Sequence, residues 1–138
     1  MQAARMPAAT HFSHGHKLSA RDNPRSSRDY VISIQKRTCV PLSGFDQPQP
    51  VKIFLRYVPD RLICDVKHMD AYFVKLAEQP YDGMEELANT IADDFNDELI
   101  PRWISVEISV DINDAVLKAH VEDKQPLWEN TALLGRLV

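Results

Sequence analysis

Cysteine is scarce in this 138-residue chain, which has two, Cys39 and Cys64. Two thiols make neither a disulfide framework nor a Cys-rich zinc cluster, and free thiols suit a reducing cytoplasm, the expected location. Charge of one sign is also lacking. Sixteen Lys and Arg stand against 20 Asp and Glu, a formal net charge of −4. Nothing draws such a chain in bulk to nucleic acid or an anionic membrane. No apolar run approaches the ~20 residues of a membrane span, and the N-terminus has no signal-type apolar core. Neither a membrane nor direct contact with nucleic acid is expected.

What remains is ordinary for a soluble domain: 44% hydrophobic and 26% charged residues, enough chain for one domain with a real core. Residues 1–28 are small, polar and Pro-punctuated, without a sustained period. They are expected to form a flexible N-terminal tail before a single domain over 29–138. His11, His14 and His16 lie in that tail with no Cys or carboxylate close by. No metal site is expected there, because a flexible segment supplies no fixed coordination geometry.

The domain opens with Tyr30–Lys36, whose β-branched residues and partial alternation predict a strand. Val51–Tyr57 predicts a second strand, with Ile53, Leu55 and Tyr57 on one face and Lys52, Phe54 and Arg56 on the other. Met69, Tyr72, Phe73 and Leu76 recur at the spacing of a buried helical stripe, so Asp65–Leu76 is read as a helix. Pro80 and Gly83 interrupt the pattern. Met84–Leu99 is the clearest helix, with Leu87, Ala88, Ile91 and Phe95 on one face and Glu85 and Glu86 in the first turn, where acidic groups favour the dipole. Trp103–Ile112 alternates strictly and reads as a half-buried strand. Asn113-Asp114 is a turn, and Ala115–Val121 a fourth strand. The last segment, Glu122–Val138, is open between packing on the body and packing on a neighbouring copy. The order ββααββ implies an α+β fold, an antiparallel four-stranded sheet with two helices on one face. Its uncovered second face favours association.

The stretch Cys39-Val-Pro-Leu-Ser-Gly-Phe-Asp46 lies between the first two strands, and a hairpin would put both Cys39 and Asp46 in the connecting loop. Two readings stand side by side. Free cysteine is commonly a small core residue, and Asp46 would then simply form a turn. Alternatively, a thiolate beside a proton donor is the minimum equipment for covalent addition to an electrophilic carbon. Glu85 is likewise either a first-turn helix carboxylate or a hydrogen-bond acceptor for a ligand. Cys64, among apolar neighbours, reads as core.

Four pieces in order resemble the nitrile reductase family (QueF) of the tunnelling-fold, or T-fold, proteins. The family has a Cys followed by Thr-Gly and by an Asp seven positions on; here stand Cys39, Ser43-Gly44 and Asp46. The family's Tyr-Ile-Pro-Asp is matched by Tyr57-Val-Pro-Asp60, and its Glu-Ser-Lys is similar to Asp65-Val-Lys67. Its His-Glu, with Asn four after the Glu, and its closing Asp-Pro-Arg-Tyr are similar to Met84-Glu85, Asn89 and Ile100-Pro-Arg-Trp103. The resemblance covers about residues 30–110.

It implies an NADPH-dependent oxidoreductase of queuosine tRNA modification that reduces the nitrile of 7-cyano-7-deazaguanine to an aminomethyl group. By resemblance, Cys39 forms a thioimide with the nitrile carbon, Asp46 is the general acid, and Glu85 binds the 7-deazapurine ring. Lys67, Arg37 and Arg102 are the cations available to NADPH, with Lys67 at the family's position. A homo-oligomer with active sites at its interfaces is also implied. The chain departs from the pattern at Met84, where the family has His, and at Asp70, where it has a second Lys. It also reads Ser109-Val-Asp-Ile-Asn-Asp114 where the family has Phe-Thr-Pro-Arg-Gly-Gly. These departures keep two alternatives open: an amidine-forming relative that uses ammonia, and a non-catalytic deazapurine-binding oligomer.

Overall fold

The alternation of the two central strands decides the architecture. In the computed structural model, which describes residues 18–137, four long strands form one antiparallel sheet. They are β2 (Ile32–Val40), β3 (Gln49–Val58), β5 (Trp103–Ile112) and β6 (Ala115–Lys124), in the spatial order β2-β3-β5-β6. Val51, Ile53, Leu55 and Tyr57 of β3 and Ile104, Val106, Ile108 and Val110 of β5 are all buried on one face. Two helices cover that face, α1 (Met69–Ala77) and α2 (Met84–Leu99), with α2 packed across β5 and β6.

Helix α2 sends Leu87, Ala88, Ile91, Phe95 and Leu99 into the core, the stripe its spacing predicts. Each large apolar side chain so buried contributes roughly 1.5–3 kcal/mol. Phe95 stands edge-on to both Tyr57 (ring centroids 5.6 Å apart) and Tyr72 (6.0 Å), joining sheet, α2 and α1. Tyr72 also donates its hydroxyl hydrogen to buried Asp94 Oδ2 at 2.8 Å, so the carboxylate carried into the core by α2 is hydrogen-bonded.

The turns follow from residue type. Asn113 and Asp114 both have positive φ (51° and 67°), the geometry of a two-residue hairpin turn, and they join β5 to β6 in tight register from Ile112↔Ala115 onward. Ile100 closes α2 in the left-handed conformation (φ 46°), and Pro101 follows. The helix expected over Asp65–Leu76 begins later: Val66–His68 form a 3-10 turn capped by Asp65, and α1 starts at Met69.

The main difference from the sequence reading lies at the two ends. A second, two-stranded sheet pairs β1 (Ala20–Asp22) with β4 (Leu62–Cys64), antiparallel. Residues 18–28, read from the sequence as tail, are therefore attached. Leu18 is buried in the core, and Asn23 donates to Asp60 O at 2.7 Å while accepting from Tyr30 Oη–H and Arg25 N–H. His11, His14, His16 and the rest of the tail to residue 17 lie outside the described residues.

At the other end a short helix, α3 (Thr131–Gly135), packs back on the same chain. Trp128 Nε1 and Asn130 Nδ2 both donate to Asp29 Oδ2, at 3.1 and 3.0 Å, and Arg56 Nη1 donates to Leu137 O at 3.1 Å.

Candidate active site

Strand β2 is exposed and half-buried in strict alternation, so Ser33, Gln35, Arg37 and Cys39 point away from the helices. Register then aligns their neighbours on that open face. Cys39 is opposite Pro50, Arg37 opposite Lys52, and Lys52 opposite Ser109, which in turn faces Lys118. Cys39 is solvent-exposed and lines a cavity of about 400 Å³ with Arg37, Pro50, Lys52, Ser109 and Asp111. A second groove of about 620 Å³ shares Arg37, Lys52, Ser109 and Asp111 with it and runs on to Phe54, Glu107 and Lys118. The exposed thiol thus opens onto a continuous trough, mainly apolar at the Cys39 end and more polar beyond.

The hairpin connection is tighter than expected. Cys39 belongs to strand β2, not to the loop, and residues 41–48 make the turn. Phe45 donates its N–H to Leu42 O at 3.3 Å, with Gly44 at φ 93° in the position where such a turn needs a left-handed residue. Ser43 N–H donates to Tyr81 O at 2.9 Å, and Tyr81 N–H to Pro41 O at 3.0 Å. The loop after Cys39 is therefore stitched to the segment just before α2. Asp46 follows the turn, exposed, with no hydrogen bond or ion pair within the described residues.

Glu85 occupies the first turn of α2. Its neighbour Glu86 accepts the Asp82 N–H at 2.6 Å, so Glu86 closes the start of the helix. The Glu85 carboxylate makes no hydrogen bond among the described residues and lies over Gly83, where a Cβ would stand 2.7 Å from Glu85 Oε1. Met84, in place of the family's His, packs half-buried against the core. Cys39, Asp46 and Glu85 thus sit on adjoining segments, their side-chain polar atoms uncommitted among the described residues, and no hydrogen bond joins them to one another.

The cations separate clearly. Arg102 is committed: Nη1 donates to Asp29 Oδ1 at 3.1 Å, and Nη2 to Asp60 Oδ1 at 3.1 Å and Ser26 O at 2.6 Å. Lys67 lies exposed on the 3-10 turn. Its backbone N–H donates to Asp65 Oδ1 at 3.1 Å, and that bond foremost holds the Asp65 carboxyl below its usual range. Arg37 points into the Cys39 cavity. Cys64 is buried, and burial pushes its thiol up to about 11, which fits a core residue.

Lys52, Ser109 and Asp111 were not singled out from the sequence as site residues. Their signal is parity: Lys52 and Ser109 fall on the polar face of their alternating strands, but only the β3–β5 register sets them beside Cys39.

No family model matches the chain. The chain is 30% identical over 128 residues to the NADPH-dependent 7-cyano-7-deazaguanine reductase of Acidithiobacillus ferrooxidans, which spans 88% of this chain and 86% of that protein. Proteins of the same name from Thermomicrobium roseum and Aquifex aeolicus are 39% and 34% identical, over 61% and 65% of this chain and 66% and 70% of their own lengths. Among solved structures, the apo archaeosine synthase QueF-Like superposes with a TM-score of 0.58 at 11% identity, over 67% of this chain and 91% of that one. That likeness is one of fold.

Proposed function

Because this chain belongs to the NADPH-dependent 7-cyano-7-deazaguanine reductase family, we propose that it reduces the nitrile of 7-cyano-7-deazaguanine to the aminomethyl group through a covalent thioimide on Cys39. The observation that carries this reading is the exposed Cys39 thiol at the head of a cavity of about 400 Å³. That size suits a bicyclic base. A nitrile carbon is a weak electrophile and is matched by a soft thiolate. As Sγ bonds to carbon, one C–N π pair moves to nitrogen, and Asp46 delivers the proton that neutralises it.

Glu85 accepts hydrogen bonds from ring N–H groups and disfavours bases that would leave it unpaired. Its uncommitted carboxylate supports that role. Taking a nitrile to a primary amine needs two electron pairs, which NADPH supplies as hydride when bound. The protein's donor set fits a phosphate-bearing cofactor, since Arg37 and Lys52, which form no ion pair among the described residues, line the trough that begins at Cys39. Lys67, whose ammonium makes no ion pair among the described residues, is a further candidate for it.

The α+β architecture is read as a T-fold subunit, one domain that takes in residues 18–28 beyond the span expected over 29–138. The outer strands β2 and β6 each lack a second neighbour among the described residues. This supports a homo-oligomer in which another copy closes the site and brings the three uncommitted groups onto one substrate. A place in queuosine biosynthesis, acting on the free base in the cytoplasm, completes the reading.

Ultraviolet difference spectroscopy tests it. Wild-type protein mixed with 7-cyano-7-deazaguanine is expected to develop a thioimide band that NADPH discharges, and Cys39→Ala to develop none. A band discharged by ammonia but not by NADPH would replace reduction with amidine formation. No band in folded, assembled protein would sink covalent catalysis.

A further inference from the structure

Arg37 and Lys52 are directly opposite each other on neighbouring strands, and both side chains line the trough that begins at Cys39. Like charges facing one another across a strand pair repel, so the arrangement costs stability unless something lies between them. The rest of the open face offers them no relief. Lys118 is 3.7 Å from Glu107 and engages that carboxylate. Arg56 stacks over the rings of Phe54 and Trp103 and donates to Leu137 O. Asp111 lines the same cavity but forms no ion pair with either cation among the described residues. A guanidinium fork beside an ammonium, neither with an ion-pair partner among the described residues, matches a ligand with several anionic oxygens.

We infer that Arg37 and Lys52 together seat the pyrophosphate of NADPH, an assignment that rests on the reductase reading. Position selects the pyrophosphate over the 2′-phosphate. The Arg37 row lies one same-face step from Cys39, two residues along β2, or about 7 Å at ~3.4 Å per residue. The reducing end of the dinucleotide must approach carbon bound to Cys39 Sγ, and the pyrophosphate is the phosphate group nearer that end. Ser109, opposite Lys52 on β5, adds a hydroxyl to the same row.

The test is equilibrium binding to the assembled protein without turnover. Arg37→Gln, Lys52→Gln and the double variant are titrated with NADPH and, separately, with adenosine 2′-monophosphate, which has the 2′-phosphate and no phosphate on the 5′ oxygen. The expected result is a loss of NADPH affinity of about tenfold or more in each single variant, with the affinity for the 2′-monophosphate unchanged. The unliganded variants should melt at or above the wild-type temperature, because the repelling pair is gone, while the rise in melting temperature caused by NADPH shrinks.

NADPH affinity within twofold of wild type would overturn the inference, and so would equal losses for the two probes, which would point to the 2′-phosphate. If wild type forms the thioimide yet the variants bind NADPH normally, this assignment alone fails. If wild type neither forms the thioimide nor binds NADPH, the reductase reading fails with it.

Discussion

Ser43 donates its backbone N–H to the carbonyl of Tyr81 at 2.9 Å, and this bond ties the loop after Cys39 to the segment that begins the Glu85 helix. A substitution can remove it alone. Ser43 is the second residue of the Leu42–Phe45 turn, a position that accepts proline. Ser43→Pro deletes the donor without opposing the turn and is expected to cost about 1 kcal/mol of stability. Because the loop carries Asp46, thioimide formation should slow several-fold while the protein stays folded. Urea denaturation and stopped-flow absorbance check both effects. An unchanged rate would mean that the stitch does not position the acid.

Two glycines separate backbone strain from loss of a functional group. Gly44 (φ 93°) has open space where a Cβ would stand, whereas a Cβ at Gly83 (φ 124°) would stand 2.7 Å from Glu85 Oε1. Alanine at either site is strained by at least about 1 kcal/mol. Only Gly83→Ala should also push the Glu85 carboxylate aside. It is therefore expected to weaken binding of the deazapurine in calorimetric titration by more than Gly44→Ala does, at similar loss of melting temperature. Equal binding in the two variants would remove Glu85 from the substrate site.

The parts of this molecule that could be read in advance are those with a period. Strand β5 and helix α2 match their expected limits residue for residue, because the ten alternating residues of β5 and the apolar stripe of α2 each reinforce one pattern. Strand β1 carries no such repeat. It is held by Leu18, by the bonds of Asn23 and by backbone pairing to β4, which are long-range contacts with no local signature.

Strands β2 and β3 extend beyond the expected Lys36 and Val51, running through to Val40 and starting at Gln49. Pro50 is tolerated because it is the second residue of β3, beyond the stretch that pairs with β5. Within the site, Cys39 stood out from its spacing to Asp46. Lys52, Ser109 and Asp111 did not, since cross-strand register joins residues far apart in the chain.

Arg102 illustrates a cation whose role the structure moves away from ligand binding. Its guanidinium joins Asp29, Asp60 and Ser26 and is largely buried. Arg102→Ala leaves two carboxylates without their cation, though Asp29 keeps its Trp128 and Asn130 donors and Asp60 its Gln125 donor, so a loss of roughly 2–3 kcal/mol is expected. NADPH affinity, corrected for the unfolded fraction, should not change. Thermal melts and NADPH titration at a temperature where the variant is folded distinguish the outcomes, and a selective drop in NADPH affinity would return Arg102 to the cofactor site.

The two cysteines should differ in reactivity, and the buried one should shape stability at high pH. Cys64 is buried and its thiol is pushed up to about 11 by that burial; Tyr57, also buried, is pushed up to about 12. At pH 8, iodoacetamide should therefore label Cys39 and spare Cys64 in the folded protein, as peptide mass spectrometry would show. The sign of the pH effect follows from linkage. Both groups are neutral in the folded and unfolded chain below about pH 8, where this stability is fully present. As pH rises further, the unfolded chain releases these protons first, so stability is lost as pH climbs through the raised values, by about 1.4 kcal/mol per pH unit for each group in its window. Cys64→Ala removes the earlier part of that decline and leaves the later part, which belongs to Tyr57 and its neighbours. Denaturation midpoints measured from pH 8 to 11 should show the wild type falling more steeply than Cys64→Ala. Parallel curves would mean that Cys64 ionises as readily in the folded protein as in the unfolded chain.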